Sequence, residues 1–352
     1  MNLNIFMNNS ILKMMNTARK FYQKNNGENF FVSNIIPNSY KKYKIRSKYA
    51  KEGVNIPPFL IASITSQCNL KCTGCYANHN KNDCQELTPS EWQKIFSEAS
   101  QIGISFILLA GGEPLMVKSV IKKAALFPDI IFPIFTNGTM IDDEYLNMFE
   151  EKQNLTPIIS IEGNMIETDK RRGTGIYNQT IEKMEALQKR NILYGVSITA
   201  TSENYKTVTD KQFISDLASK SCSVVIFVEY VPMDSDTQHL ALNDEETKIL
   251  TAKVAGLKDR NNDMILIHFP GDEEKLGGCL ASGRGFFHIN SNGGAEPCPF
   301  SPYSKQNLRE DSIIDILKSQ YFVDLQEIAK NADHHGGCTL FKEEEKVKAL
   351  NE

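Results

Sequence analysis

From about residue 58 the sequence alternates short β-branched or aromatic runs with longer amphipathic segments, and this repetition limits the possible folds more than any other feature. The runs at 59–65, 104–109, 131–136, 157–161, 193–199 and 224–230 read as strands. Helical signals lie between them. Thr88-Pro89-Ser90-Glu91 combines an N-cap, a proline at N1 and a capping-box glutamate, and Asp142-Asp143-Glu144 places acids where a helix dipole favours them. The segments 178–190, 210–220 and 244–260 supply three more helices. Repeated βα units form a parallel sheet covered by helices. Six such units are two short of a closed eightfold barrel, so the sequence predicts an α/β fold: a partial (β/α)6 TIM-like barrel, open at one side, with its chemistry on the loops after the strands.

After Phe269 the pattern changes to Gly-rich turns, a hairpin around Asn292-Gly293-Gly294 and helical pieces near 311–330, which reads as a second, smaller domain. Residues 1–57 read as a helix plus a basic connector (Lys41, Lys42, Lys44, Arg46, Lys48), expected to be a solvated face. The expected domains are therefore 1–57, 58–265 and 266–352. Thirty-nine Lys and Arg against 43 Asp and Glu leave a net charge of −4 and no basic footprint for nucleic acid. With neither a membrane-length apolar run nor a signal-peptide segment, a cytoplasmic protein is expected. Eight cysteines in a reducing compartment then point to metal or redox chemistry rather than a disulfide framework.

Directly after the first strand, Cys68, Cys72 and Cys75 form a C-x3-C-x2-C triplet on a loop. Thiolates at this spacing can wrap one inorganic centre, and soft sulfur ligands select an iron–sulfur cluster or zinc. Three ligands on a four-iron cubane leave one iron open to bind another molecule. A zinc knuckle with His79 as fourth ligand is the competing reading. The triplet resembles the defining motif of the radical S-adenosylmethionine (SAM) enzymes, and the resemblance runs over residues 58–235. Gly111-Gly112-Glu113 ends the second strand where that family binds the methionine amino group of SAM. A glycine pair permits close backbone approach, and a carboxylate suits an ammonium group. Thr136-Asn137-Gly138 closes the third strand as the family's Thr-Asn-Gly does. Ser160, Glu162 and Arg172 resemble the Ser-x-Asp-Gly and later Arg of the subgroup that includes anaerobic sulfatase-maturing enzymes. By that resemblance Ser160 contacts the SAM ribose or carboxylate, and Arg172 pairs with the carboxylate. The alternative for Arg172 is a surface residue beside Arg171.

Two departures stand out. Gly74 occupies the position before the third cysteine where the family usually has an aromatic, and Glu162 stands in place of Asp. The resemblance implies that an electron passes through the cluster to SAM, releasing a 5′-deoxyadenosyl radical that abstracts a substrate hydrogen. The cofactors carry that chemistry, and the protein supplies binding, orientation and exclusion of water.

Cys279, Gly293 and Cys298 fit C-x13-G-x4-C, and Cys338 comes directly after Gly336-Gly337. This set resembles the SPASM and twitch extensions of the same superfamily, which implies one auxiliary [4Fe–4S] cluster with three cysteine ligands. The fourth position is either open or filled by His334, His335 or another donor. Cys222 and Cys84 read as inert thiols. Glu229 and Tyr230, at the end of the sixth strand, are candidates to face the barrel lumen, with Glu229 the candidate catalytic residue. His288 reads as a packed strand residue, and Phe286 and Phe287 as core; His239 and His268 carry no signal. The implied function is radical SAM modification of a peptide or protein by oxidation or crosslinking, with a flavodoxin- or ferredoxin-like electron donor. A small-molecule dehydrogenase or cyclase and a non-enzymatic iron–sulfur carrier are the alternatives.

Overall fold

The computed structural model describes residues 16–17, 19–21, 30–79, 85–258, 264–271, 278–332 and 338–351. Strands β1 (Phe59–Ser63), β2 (Phe106–Ala110), β3 (Phe132–Thr136), β4 (Leu155–Ser160), β5 (Gly195–Ala200), β6 (Val224–Glu229) and β7 (Ile265–Phe269) pair in chain order, each parallel to the next. Helices α1 (Ile36–Lys51), α2 (Pro89–Gln101), α3 (Lys118–Ala124), α4 (Asp143–Glu151), α5 (Met165–Arg172), α6 (Ile176–Lys189), α7 (Lys211–Ser219) and α8 (Asp244–Lys258) precede or connect them. The capping box at Thr88 forms as expected, with Glu91 N bonded to Thr88 Oγ1 and Thr88 N to Glu91 Oε2.

The sheet curls. Phe59 on β1 and Phe269 on β7 are six strands apart, which in a flat sheet means about 29 Å. Instead the Phe286 ring touches both, at centroid distances of 5.9 and 5.8 Å. Only a strongly curved sheet lets one ring bridge its first and seventh strands, so six βα units and then β7 make the laterally open barrel. The run Ile265-Leu266-Ile267-His268-Phe269 carries the signal for β7, a strand beyond the six expected from periodicity.

The C-terminal hairpin, β8 (His288–Ile289) with β9 (Ala295–Glu296), extends the same sheet: β8 pairs parallel with β1 through Ile61↔His288 and Ala62↔Ile289. Helices α9 (Ile313–Lys318), α10 (Gln320–Asn331) and α11 (Glu344–Asn351) come after it, and buried Ile313, Ile316, Phe322, Leu325, Leu340 and Val347 join the barrel's core cluster. Phe286 and Phe287 are buried core residues, as expected.

The basic segment before the barrel is not a solvated face throughout. It is α1, and Lys42 and Arg46 are buried on its inner side. Lys42 Nζ donates to the carbonyls of Ile104 (2.7 Å) and Asp129 (2.6 Å) and pairs with the Asp129 carboxylate at 2.8 Å. Arg46 Nη1 bonds the Gly103 carbonyl and Ser105 Oγ. The two cations thus satisfy carbonyls in the α2–β2 and α3–β3 connections, acceptors that a periodicity argument cannot see. Burial lowers the Lys42 amine to about 8, against the pull of Asp129.

Candidate functional site

The three clustered cysteines lie beyond the carboxyl end of β1, at the barrel rim where βα loops carry chemistry. All three are free thiols and half-buried. Their loop is held from several sides. Glu86 accepts from Ser66 N (2.6 Å), Ser66 Oγ (2.8 Å) and Thr65 Oγ1, which fixes the loop's first residues. Asn69 bridges to Asn137 (2.8 Å) and Thr139 (2.8 Å), and Thr73 N donates to the Arg171 carbonyl (2.9 Å). Burial pushes the Cys68 and Cys72 thiols above their ordinary value, while Arg172 and Arg171 draw Cys72 the other way. Cys84 lies outside the described residues.

Gly111 and Gly112 are required by the backbone around them. A Cβ on Gly111 would stand 2.2 Å from the Thr65 carbonyl oxygen, and one on Gly112 2.0 Å from that of Gln67. The close approach lets Gly112 N and Glu113 N donate to those same carbonyls at 2.8 and 2.7 Å, clamping β2 to the cysteine loop. The Glu113 carboxylate is buried and accepts from Leu115 N (3.0 Å), Thr136 Oγ1 (2.7 Å) and Asn137 N (2.7 Å). It therefore ties the ends of β2 and β3 together. Burial raises its pKa against those three bonds.

At the end of β4, Ser160 is half-buried and its hydroxyl has no partner among the described residues. Glu162 is 1% exposed and gathers four donors on its two oxygens: Oε1 takes Arg171 Nη1 and Arg172 Nε (2.8 Å) and Nη2 (2.6 Å), while Oε2 accepts from Thr199 N (2.9 Å). Helix α5, opened by an Asn164–Glu167 capping box, delivers both arginines from its last turn. Arg172, with only 10% of its side chain exposed, is thus a fixed buried cation, not a surface residue. Burial opposes its charge, yet Glu162 and the neighbouring Cys72 sulfur hold its pKa above the ordinary value. The longer acid in place of Asp is what reaches two guanidinium groups at once.

The sixth strand corrects one expectation. Along β6, Val225, Phe227 and Glu229 are buried on one face, while Val224, Ile226 and Val228 are half-buried on the other. Val225 and Phe227 belong to the core cluster, so Glu229 points with them away from the lumen, and its Oε1 lies 2.8 Å from His268 Nε2 on β7. Both side chains are almost completely buried. A lumen-facing catalytic Glu229 is not what the fold presents. Tyr230, on the alternate side, reaches the cysteine loop and lies against Gly74.

The second cysteine set also comes together. Cys298 is buried and hydrogen-bonded to Cys338, with Cys279 in electrostatic reach, and this burial and crowding raise its pKa. His334 and His335 lie outside the described residues. Between the two sets stand Tyr76 and Phe300, whose rings meet edge-to-face at 5.3 Å. Tyr76 is within reach of both Cys75 and Cys298. His288 is packed as expected, bridging Ser63 Oγ (2.7 Å) and Glu296 (2.6 Å). Cys222 is buried away from both sets, its sulfur 3.3 Å from the Val224 carbonyl and its pKa pushed by burial to about 12.

Among the described residues no three His, Cys, Asp or Glu side chains converge as ligands of a single metal ion. His79, the fourth donor of the zinc alternative, has its Nε2 2.7 Å from Asp234 Oδ2. Thiolates that each ligate a different iron need no common centre, and two triads of cysteines are a donor set for such clusters.

Residues 62–212 match the family model described as the Radical SAM superfamily. The sporulation killing factor maturation protein SkfB of Bacillus subtilis is 23% identical over 81% of this chain and 70% of its own. The AdoMet-dependent heme synthase of Methanosarcina barkeri is 26% identical over 75% of this chain and 83% of its own. Among solved structures, Streptococcus suis SuiB bound to S-adenosylmethionine superposes with a TM-score of 0.68 at 17% identity, over 86% of this chain and 76% of SuiB. Its fold is thus the curled half-barrel seen here. Set beside the cysteine loop after β1 and the clamped Gly-Gly-Glu after β2, these matches show a radical SAM enzyme domain over residues 62–212.

Proposed function

We propose that this enzyme modifies a peptide or protein, with a first [4Fe–4S] cluster on Cys68, Cys72 and Cys75 and an auxiliary one on Cys279, Cys298 and Cys338. A cluster and SAM come with the superfamily; their placement on these residues is our assignment. When bound, they supply reductive cleavage of SAM and a radical that takes a hydrogen from the substrate. The observation that carries this reading is the pair of thiol triads on either side of Tyr76 and Phe300, one at the barrel rim and one behind it.

The chain's own residues then have defined tasks. Glu113 keeps lone pairs beyond its three hydrogen bonds to receive the methionine ammonium group at the barrel rim. Ser160 Oγ and the Nη1 of Arg172, both without a partner among the described residues, are the donors for the SAM ribose and carboxylate. Glu162 holds Arg172 in place and does not itself touch SAM. Asn137 positions the cysteine loop through Asn69.

A peptide is favoured because SkfB and the mycofactocin maturase MftC, 24% identical over 47% of this chain, are named for maturation. SuiB was also solved with its precursor peptide. The small-molecule alternative rests on the heme synthase relative. Among the described residues no helix is long and apolar enough to cross a membrane; a cytoplasmic location and a flavodoxin- or ferredoxin-like electron donor are part of the proposal.

The test is anaerobic: the reconstituted enzyme is reduced in the presence of SAM and 5′-deoxyadenosine is measured, with and without short Cys- or Gly-rich peptides. Deuterium moving from a labelled peptide into 5′-deoxyadenosine supports the reading. Turnover with a tetrapyrrole or nucleotide and none with peptide would replace it with the small-molecule alternative.

A further inference from the structure

We propose that the Tyr230 hydroxyl donates a hydrogen bond to a sulfur at the Cys75 corner of the first cluster, and so holds that cluster's reduction potential up. This rests on the assignment of Cys68, Cys72 and Cys75 as cluster ligands. Tyr230 lies just beyond β6, far from the cysteines in sequence, and is 6% exposed. Its ring is placed against the backbone just before Cys75: a Cβ on Gly74 would fall 2.2 Å from the phenol oxygen and 2.8 Å from Cζ. Gly74 also sits in the left-handed region, at a φ of +62°. The glycine is therefore needed twice, for its backbone and for the space that Tyr230 fills.

The phenol oxygen is one of the buried side-chain atoms with no hydrogen-bond partner among the described residues. Thr237 stands beside it without bonding geometry, and gives its own hydroxyl proton to Asp234 Oδ1 at 2.6 Å. A buried phenol O–H with no acceptor in reach leaves its proton unsatisfied. An orphaned buried hydroxyl in a native fold calls for a missing partner. Besides Thr237 it adjoins Gly74, the residue before Cys75, and the group expected there is rich in sulfur acceptors. Hydrogen bonds to sulfur stabilise the more negative, reduced cluster, which raises its potential. Tyr230 is thus a positioning and tuning residue, not a catalytic one.

The test uses the full chain, reconstituted anaerobically, without SAM and then with it. The first cluster's signal is isolated by subtracting that of the Cys68, Cys72, Cys75 triple alanine variant. In Tyr230→Phe, iron content should stay unchanged and the midpoint potential should become more negative. One deuterium-exchangeable proton coupling to the reduced cluster, seen by electron–nuclear double resonance in the wild type without SAM, should vanish. Gly74→Ala, which pushes the phenol away while keeping it, should shift the potential in the same direction, and the double variant no further than either single one. An unchanged potential and coupling in Tyr230→Phe would overturn the proposal, as would a coupling that appears only with SAM. If the wild type shows no reducible signal that the triple variant loses, the ligand assignment itself fails, and this inference with it.

Discussion

The two cysteine sets have the same number of thiols in opposite surroundings. Cys68, Cys72 and Cys75 are half-buried on a loop held by side-chain hydrogen bonds and by a buried carboxylate–diguanidinium cluster. Cys279 and Cys298 are 4% and 2% exposed, beside a hairpin paired to β1, with Cys338 closing over them from the chain's last segment. The first set is built like a site that must admit a charged ligand: cations, a carboxylate and an unpartnered hydroxyl surround it. The second is deeper at Cys279 and Cys298, while Cys338 is half-buried like the first set. On the function proposed above, the first set takes the reacting role and the second an electron-handling or structural one.

The largest effect tests that division directly. Replacing Cys68, Cys72 and Cys75 together by alanine should abolish 5′-deoxyadenosine formation, whereas Cys279→Ala with Cys298→Ala should leave measurable SAM cleavage but no substrate product; chromatography of both products checks this. Next in size is Glu162→Gln, which leaves Arg171 and Arg172 buried without their counter-charge. Losing one partner of a buried ion cluster costs about 3–5 kcal/mol, measurable by urea unfolding of both proteins. Gly112→Ala drives a methyl into the Gln67 carbonyl and should cost roughly 3 kcal/mol; it should lower iron at the first set and spare the second.

A comparable effect lies outside both sites. The Lys42 amine titrates near 8 in the fold and at its ordinary 10.5 when unfolded. Between those values the unfolded chain binds more protons, so stability rises with pH there. Relative to Lys42→Met, the wild type should gain about 3 kcal/mol across that window, read from unfolding at successive pH values. The smallest effect is Cys222→Ala, expected to cost about 1 kcal/mol with no change in iron.

Much of this arrangement could be read from the chain because its signals are local. The cysteine spacing, the Gly-Gly-Glu after a strand and the Thr88 capping box are each contained in a few residues, and each stands where expected. What was hidden depends on contacts between distant segments. Lys42 and Arg46 look solvated until the carbonyls of Gly103, Ile104 and Asp129 are brought to them. Glu86 carries no motif, yet fixes the start of the cysteine loop. Glu229 looked like a lumen residue because strand ends often are; only the alternation of β6 and the pairing with His268 show otherwise. Gly74 read as a departure from a family pattern, and its reason lies across the barrel in Tyr230.

The central claim is two four-iron sites on two cysteine triads, and iron counting with Mössbauer spectroscopy after anaerobic reconstitution tests it most directly. The account expects about eight irons per chain in the wild type and about four in either triple alanine variant, Cys68/Cys72/Cys75 or Cys279/Cys298/Cys338. One zinc per chain with no reducible iron, or the same iron content in the wild type and both variants, would contradict it.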